Sequence, residues 1–216
     1  MKTTSGLRIA LAMIAAAGPS AAMSATTIDF EIPNAPNRFD ISSPLSDRYA
    51  GLGVTFAGAD GPGGYIIQAG RLDIDARSGS DLLLFNTSGV TGRRERLTFS
   101  STVTSVSIYL ANGYMPATFF ITGYDSAGLL LDTSLVDAPT GNQYVRLALD
   151  GANFSSVEFG AILSNYFAAD DLSFTFGTVS AAAPEPTSWA MMLVGFGMVG
   201  YGKRRAGGTL RSIGAA

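Results

Sequence analysis

The 216-residue chain contains no cysteine and no histidine. Their absence excludes disulfides, thiol nucleophiles, Ser-His-Asp or Cys-His pairs, and zinc sites built on thiolate or imidazole. Lysine occurs only at Lys2 and Lys203, so Schiff-base and Ser-Lys chemistry have no residue to use between the two ends. The single tryptophan, Trp189, lies near the C-terminus. Charged residues are scarce at 14%, and between residues 26 and 178 eight Arg stand against sixteen Asp or Glu, a net charge of −8. A surface of that sign repels phosphate backbones, which excludes nucleic acid as a partner and favours cations or neutral ligands. Carboxylate chemistry is the one enzymatic route left open.

Two apolar ends frame the chain. Residues 1–25 have the three parts of a secretory signal: Lys2 and Arg8 as the charged start, an apolar stretch over 7–17, then small residues over 20–25. Signal peptidase is the expected partner, with cleavage between Ala22 and Ala25. At the other end, residues 179–216, an alanine spacer leads to Pro184-Glu185-Pro186 and an uncharged run over 189–202, which Lys203, Arg204 and Arg205 close. With residues 188–202 as a single transmembrane helix, the run is short of the usual span of about 20 residues and crosses with local thinning of the bilayer. The basic cluster places the C-terminus inside and the rest of the chain outside, with Trp189 at the outer interface.

The string from Pro184, Glu185 and Pro186 through Trp189-Ala190 to Gly197, followed by Gly200 and Lys203-Arg204-Arg205, resembles the PEP-CTERM sorting signal in its variant with Trp-Ala after the PEP. The resemblance covers the tail alone. It implies processing by an exosortase, a membrane cysteine peptidase of Gram-negative bacteria that make extracellular polysaccharide, and delivery to the envelope, surface or extracellular matrix. The eleven residues from Ala206 to Ala216 depart from the pattern, since tails of this family usually stop at the basic cluster.

Residues 26–178 read as one all-β domain of ordinary size. Short segments rich in Val, Ile, Phe, Tyr and Thr alternate with Gly, Asp, Asn, Ser and Pro, which predicts strands over 27–32, 52–57, 65–68, 71–75, 82–85, 96–100, 103–111, 118–124, 129–136, 143–149, 156–162 and 171–176. Twelve short strands at this spacing predict a two-sheet β-sandwich. Alternation sets Val106, Ile108 and Leu110 against Ser105, Ser107 and Tyr109, and Leu172, Phe174 and Phe176 against Asp171, Ser173 and Thr175. In 118–124 both faces carry apolar residues, Phe119 and Ile121 on one and Phe120 on the other, as in a central strand. Asp125-Ser126-Ala127-Gly128 reads as a hairpin turn. The order of these segments resembles the jelly-roll domains common in PEP-CTERM proteins and, more distantly, carbohydrate-binding modules.

Asp29 and Glu31 on the first strand and Asp170 and Asp171 entering the last lie opposite their strands' apolar faces, so pairing of the terminal strands brings like charges together outside the core. Oxygen ligands of that kind suit calcium, and the sandwich resemblance implies a structural calcium at the same place. The run Asp73, Asp75, Arg77, Gly79, Asp81 lacks the EF-hand Gly and Glu and reads as a polar strand and turn. A two-carboxylate glycosidase would have Glu31, Glu95 or Glu158 to draw on, yet Glu95 reads as part of a charged turn and Glu158 as a surface position. Tyr65, Tyr109, Tyr114, Tyr144 and Tyr166 are candidates for stacking on sugar rings. The expectation is a non-enzymatic surface or matrix protein with a structural or adhesive role, and polysaccharide recognition as the alternative.

Overall fold

The computed structural model describes residues 24–38, 41–70, 74–86, 94–113, 115–139, 141–162, 164, 166–177, 192–194 and 196. The chain divides into two compact units after Gly177. In the second, residues 192–194 and 196 are helical, and no helix among the described residues is long and apolar enough to cross a membrane. Residues 1–23 of the expected 1–25 signal segment and the motif residues Pro184, Glu185, Pro186, Trp189, Lys203, Arg204 and Arg205 lie outside the described residues.

The first unit is all-β. Its strands are β1 (Thr26–Ile28), β2 (Val54–Gly58), β3 (Tyr65–Gln68), β4 (Asp81–Asn86), β5 (Arg94–Ala111), β6 (Ala117–Tyr124), β7 (Leu130–Ala138), β8 (Val145–Ile162) and β9 (Tyr166–Phe176). They form one antiparallel sheet in the order β3-β4-β9-β5-β8-β6-β7, with β1 added on β9 and β2 on β5. The segments predicted over 96–100 and 103–111 fuse into β5, and those over 143–149 and 156–162 into β8, each 18 residues long. The reason is a change of parity: Leu97 and Phe99 point inward at odd positions, Val106, Ile108 and Leu110 at even ones, with register shifts on either side of Val103. Extra residues of this kind bend a strand without ending it.

The bends turn one sheet into a sandwich. The first part of β5 pairs with β2 and with residues 156–160 of β8, while its second part pairs with β9 and with residues 145–150 of β8. The halves face each other through aromatic rings: Phe85 of β4 meets Phe159 of β8 edge-on at 5.9 Å, Phe119 of β6 meets Phe167 of β9 at 5.7 Å, and Phe99 of β5 meets Phe174 of β9 at 5.2 Å. The two predicted sheets are therefore one sheet folded over, sharing its two longest strands. All these rings are buried, and burying one contributes on the order of 2 kcal/mol.

Three strand assignments change. Ile74 and Asp75 lie in the loop before β4 and not on a strand, and residues 71–73 are outside the described set. The first strand stops at Ile28, because Phe30 takes φ 60° and turns its ring into the core. The last strand begins at Tyr166, five residues before the predicted start, because Phe167, Ala168 and Ala169 are buried without alternation. The assigned inward residues of β5, β6 and β9 and the Asp125–Gly128 turn, with Gly128 at φ 78°, stand as read.

Candidate functional site

The terminal acidic residues come to the same region through the loop over 74–80. β1 pairs with β9 from Thr26 opposite Phe174 to Ile28 opposite Leu172, and Asp29 follows directly. Glu31 accepts the amides of Ser80 and Asp81, each at 2.8 Å, on Oε1 and the Ser80 hydroxyl on Oε2. Burial works against its charge, but those donors outweigh it and hold the carboxyl below the usual glutamate value. Asp29 accepts the Glu31 amide at 3.2 Å.

On β9 the alternation fails where a register shift lets Asp171 and Leu172 oppose Ile108 alone, with Asp171 at φ 48°. Asp170 is consequently buried, correcting its assignment to the solvent side. Its Oδ2 accepts the amides of Arg77 at 2.8 Å and Ser78 at 3.0 Å, and its Oδ1 accepts the Asp171 amide at 2.8 Å. Burial raises its pKa to about 6 even against those three donors. Asp171 takes the Arg77 guanidinium and, at 2.7 Å, the Ser78 hydroxyl. The same guanidinium lies 3.6 Å from the centre of the Tyr109 ring.

These contacts bear on the calcium expectation for Asp29, Glu31, Asp170 and Asp171. Calcium needs six to eight oxygens with free lone pairs, whereas here the oxygens of Glu31 and Asp170 already accept amides or a hydroxyl, and a guanidinium neutralises Asp171. Among the described residues no three carboxylates group so as to hold an ion. The donor set as placed fits a loop fastened by Arg77 and not a calcium ion.

A second polar constellation covers the outer face of the half formed by β2, β5, β8, β6 and β7. Register puts Leu135, Phe120, Gly160 and Arg94 in one cross-strand row, and Thr133, Thr122, Glu158 and Arg96 in the next, with Tyr124 one row further. Glu158 is buried there, held by Arg96 Nε at 2.9 Å and by Arg94 at 3.4 Å, and Arg94 also reaches Asp60 at 3.4 Å. Arg96 lies 5.9 Å over the Tyr124 ring.

Glu95 is on the opposite, inner face and fully buried, which corrects its reading as part of an exposed turn: β5 begins at Arg94, so alternation sends Glu95 inward between Gly58 and Phe159. Its Oε2 accepts the Gly64 amide at 2.7 Å, and Oε1 has no partner. Burial, little relieved by that amide and reinforced by Asp60, lifts its pKa to about 8. A Cβ at Gly63 would lie 2.5 Å from the carboxylate, so the loop needs glycine where it wraps this acid. Glu95 and Glu158 thus sit on opposite faces of one sheet and cannot flank one glycosidic bond, and Glu31 is occupied elsewhere.

The tyrosines proposed for stacking are mostly engaged. Tyr65 is buried, Tyr109 lies under Arg77, Tyr144 donates to the Asp75 carbonyl at 2.9 Å, and Tyr114 is outside the described residues. Tyr124, Phe120, Arg94 and Arg96 were not among the site candidates drawn from the sequence. Period-two alternation through Arg94-Glu95-Arg96-Leu97 was the available signal.

Residues 182–206 match the PEP-CTERM protein-sorting motif, the mark of an exported, envelope-associated protein of Gram-negative bacteria. No curated protein matches the chain. Among solved structures, it is similar to a DUF4465 family protein from Bacteroides caccae, at 14% identity and TM-score 0.44 over 72% of this chain and 93% of that one. It is also similar to the CBM22-1 xylan-binding domain of Paenibacillus barcinonensis Xyn10C, at 15% identity and TM-score 0.42 over 73% of this chain and 97% of that one. A third similarity is to the arabinose-bound α-L-arabinofuranosidase MgGH51, at 14% identity and TM-score 0.40 over 62% of this chain, which spans 24% of that enzyme.

Proposed function

We propose that an exosortase processes this chain at its tail and that the β-domain is retained at the cell surface or in the extracellular matrix in a structural or adhesive, non-enzymatic role. The sorting motif over 182–206 carries this reading. Leader removal by signal peptidase and transient membrane insertion of residues 188–202 belong to the same route. The separation of Glu95 from Glu158 by the thickness of the sheet supports a role without glycoside hydrolysis. In a host with exosortase the C-terminal peptide should be cleaved or modified near Pro184–Pro186, and in a host without it the tail should persist. Mass spectrometry of that peptide decides, and an identical intact tail in both hosts would refute the sorting step.

A second reading, recognition of matrix polysaccharide, is favoured by the outer face just described. Half-buried Phe120 and Tyr124 there flank Arg94, Arg96 and Glu158, a mixture of ring faces and forked hydrogen-bonding groups suited to sugar rings and their diols. Matrix polysaccharide should retain the wild-type chain and release Tyr124→Ala, with circular dichroism showing the variant folded. Equal recovery of both removes this reading and leaves the structural role.

A further inference from the structure

The sheet has edges of two kinds. The chain's own segment before β2 covers two of them: the Gln68 amide on β3 donates to the Pro36 carbonyl at 2.8 Å, and the Phe56 amide on β2 donates to the Ser46 carbonyl at 2.8 Å. β7 is different. Among the described residues it pairs with β6 alone, and the Thr133 amide is met only by the carboxylate of its own neighbour, Asp132 Oδ1, at 2.8 Å. Nine-residue open edges ordinarily carry charge or proline that discourages pairing. This one carries two carboxylates, Asp132 and Asp137, and alongside them exposed leucines, with Leu130 56%, Leu131 40% and Leu135 55% exposed.

The sequence along that edge is close to a palindrome, Leu130-Leu131-Asp132-Thr133-Ser134-Leu135-Val136. An antiparallel copy centred on Thr133 places Leu131 opposite Leu135, Leu130 opposite Val136 and Asp132 opposite Ser134, each twice. Over 131–135 apolar then meets apolar, no two carboxylates face each other, and each Ser134 hydroxyl can donate to the facing Asp132; the match ends on either side, where β7 bulges at Leu131 and Leu129 comes opposite Asp137. Cross-strand pairs of this sort stabilise an antiparallel edge, and a two-fold axis uses the same patch on both partners. Shifting the axis to Ser134 would set Leu131 against Asp137 and Asp132 against Val136. The open amide, the exposed leucines and the self-complementary order converge on one occupant.

We propose that β7 is a self-association edge, pairing antiparallel with β7 of a second copy about an axis at Thr133, so that the folded sheets of two copies become continuous. On pairing, the Thr133 amide leaves Asp132 for the facing Thr133 carbonyl.

Because the chain has no cysteine, a single introduced thiol reports the axis. Facing residues of a hydrogen-bonded antiparallel pair are about 5.5 Å apart at Cα, within disulfide reach. The full chain in detergent carrying Thr133→Cys should therefore oxidise to a covalent dimer about tenfold or more faster than one carrying Thr55→Cys, an exposed position on β2, since paired thiols act at high effective concentration. Sedimentation of the cysteine-free wild type should show a concentration-dependent dimer. Leu135→Glu should abolish both signals with circular dichroism and melting temperature unchanged, and Leu131→Glu gives the same readout should Leu135→Glu fail to fold. A wild type that stays monomeric throughout overturns the proposal, as does a dimer indifferent to both Glu variants. Equal oxidation rates for the two cysteine variants would place any association on another surface and overturn it as well.

Discussion

Wrapping Gly63 and Gly64 over Glu95 keeps that carboxyl protonated to about pH 8 in the folded chain, whereas an unfolded glutamate loses its proton near 4.5. Between those values the folded state holds the extra proton, so its stability is greatest below the lower one and falls as pH rises. The loss reaches at most about 1.4 kcal/mol per pH unit and levels off once both states are ionised. Asp170 acts in the same sense over a lower window, from 3.8 to about 6. Glu95→Gln keeps the shape and the Gly64 contact but cannot ionise. It should leave the melting temperature nearly unchanged at pH 4.5 and raise it by several degrees at pH 8, at about 2 to 4 °C per kcal/mol for a chain of this size. A melting curve for the wild type that does not move between pH 5 and pH 8 would contradict the assignment.

The loop over 74–80 is the element whose position depends most on specific side chains. Asp170 and Glu31 together accept three of its amides and that of Asp81, which follows it, and Arg77 closes it over Tyr109. Asp170→Ala leaves two loop amides and the Asp171 amide without their acceptor, at about 1 to 3 kcal/mol for each buried donor left unmade. With the guanidinium already beside Asp171, calcium and chelator should give the wild type the same melting temperature, while Arg77→Met should lower it in both. A rise on adding calcium to the wild type would show that the carboxylates open to admit an ion. Little of this element was legible beforehand. The sequence placed Asp29, Glu31, Asp170 and Asp171 near one another because strand ends and acidic residues are local signals. It did not reveal that Asp171 adopts φ 48° and buries Asp170, because a bulge shows only when the partner strand is known. The faces of β6 and of the second part of β5 were legible, since simple alternation governs them. The bends that fuse β5 and β8 were not, because an extra residue looks like the end of a strand until the neighbours on both sides are in place.

At the scale of the whole molecule, the sorting motif over 182–206 was the most legible part, since a short motif is read without a partner strand. The folded sheet depends on contacts between distant residues. β9, the last strand of the domain, sits between β4 and β5 and also holds β1, so Thr26 pairs with Phe174 across nearly the whole domain. The order in which the chain is delivered matters for that reason. Emerging N-terminus first, from a ribosome or across a membrane, it has β1 and β4 waiting without their partner until residues 166–176 arrive. Pairings of such long sequence separation form slowly, in milliseconds to seconds for sheet proteins. The domain therefore closes late: the strand that joins β1, β4 and β5 is the last to be delivered, and the sheet is complete only once residues 166–176 are available.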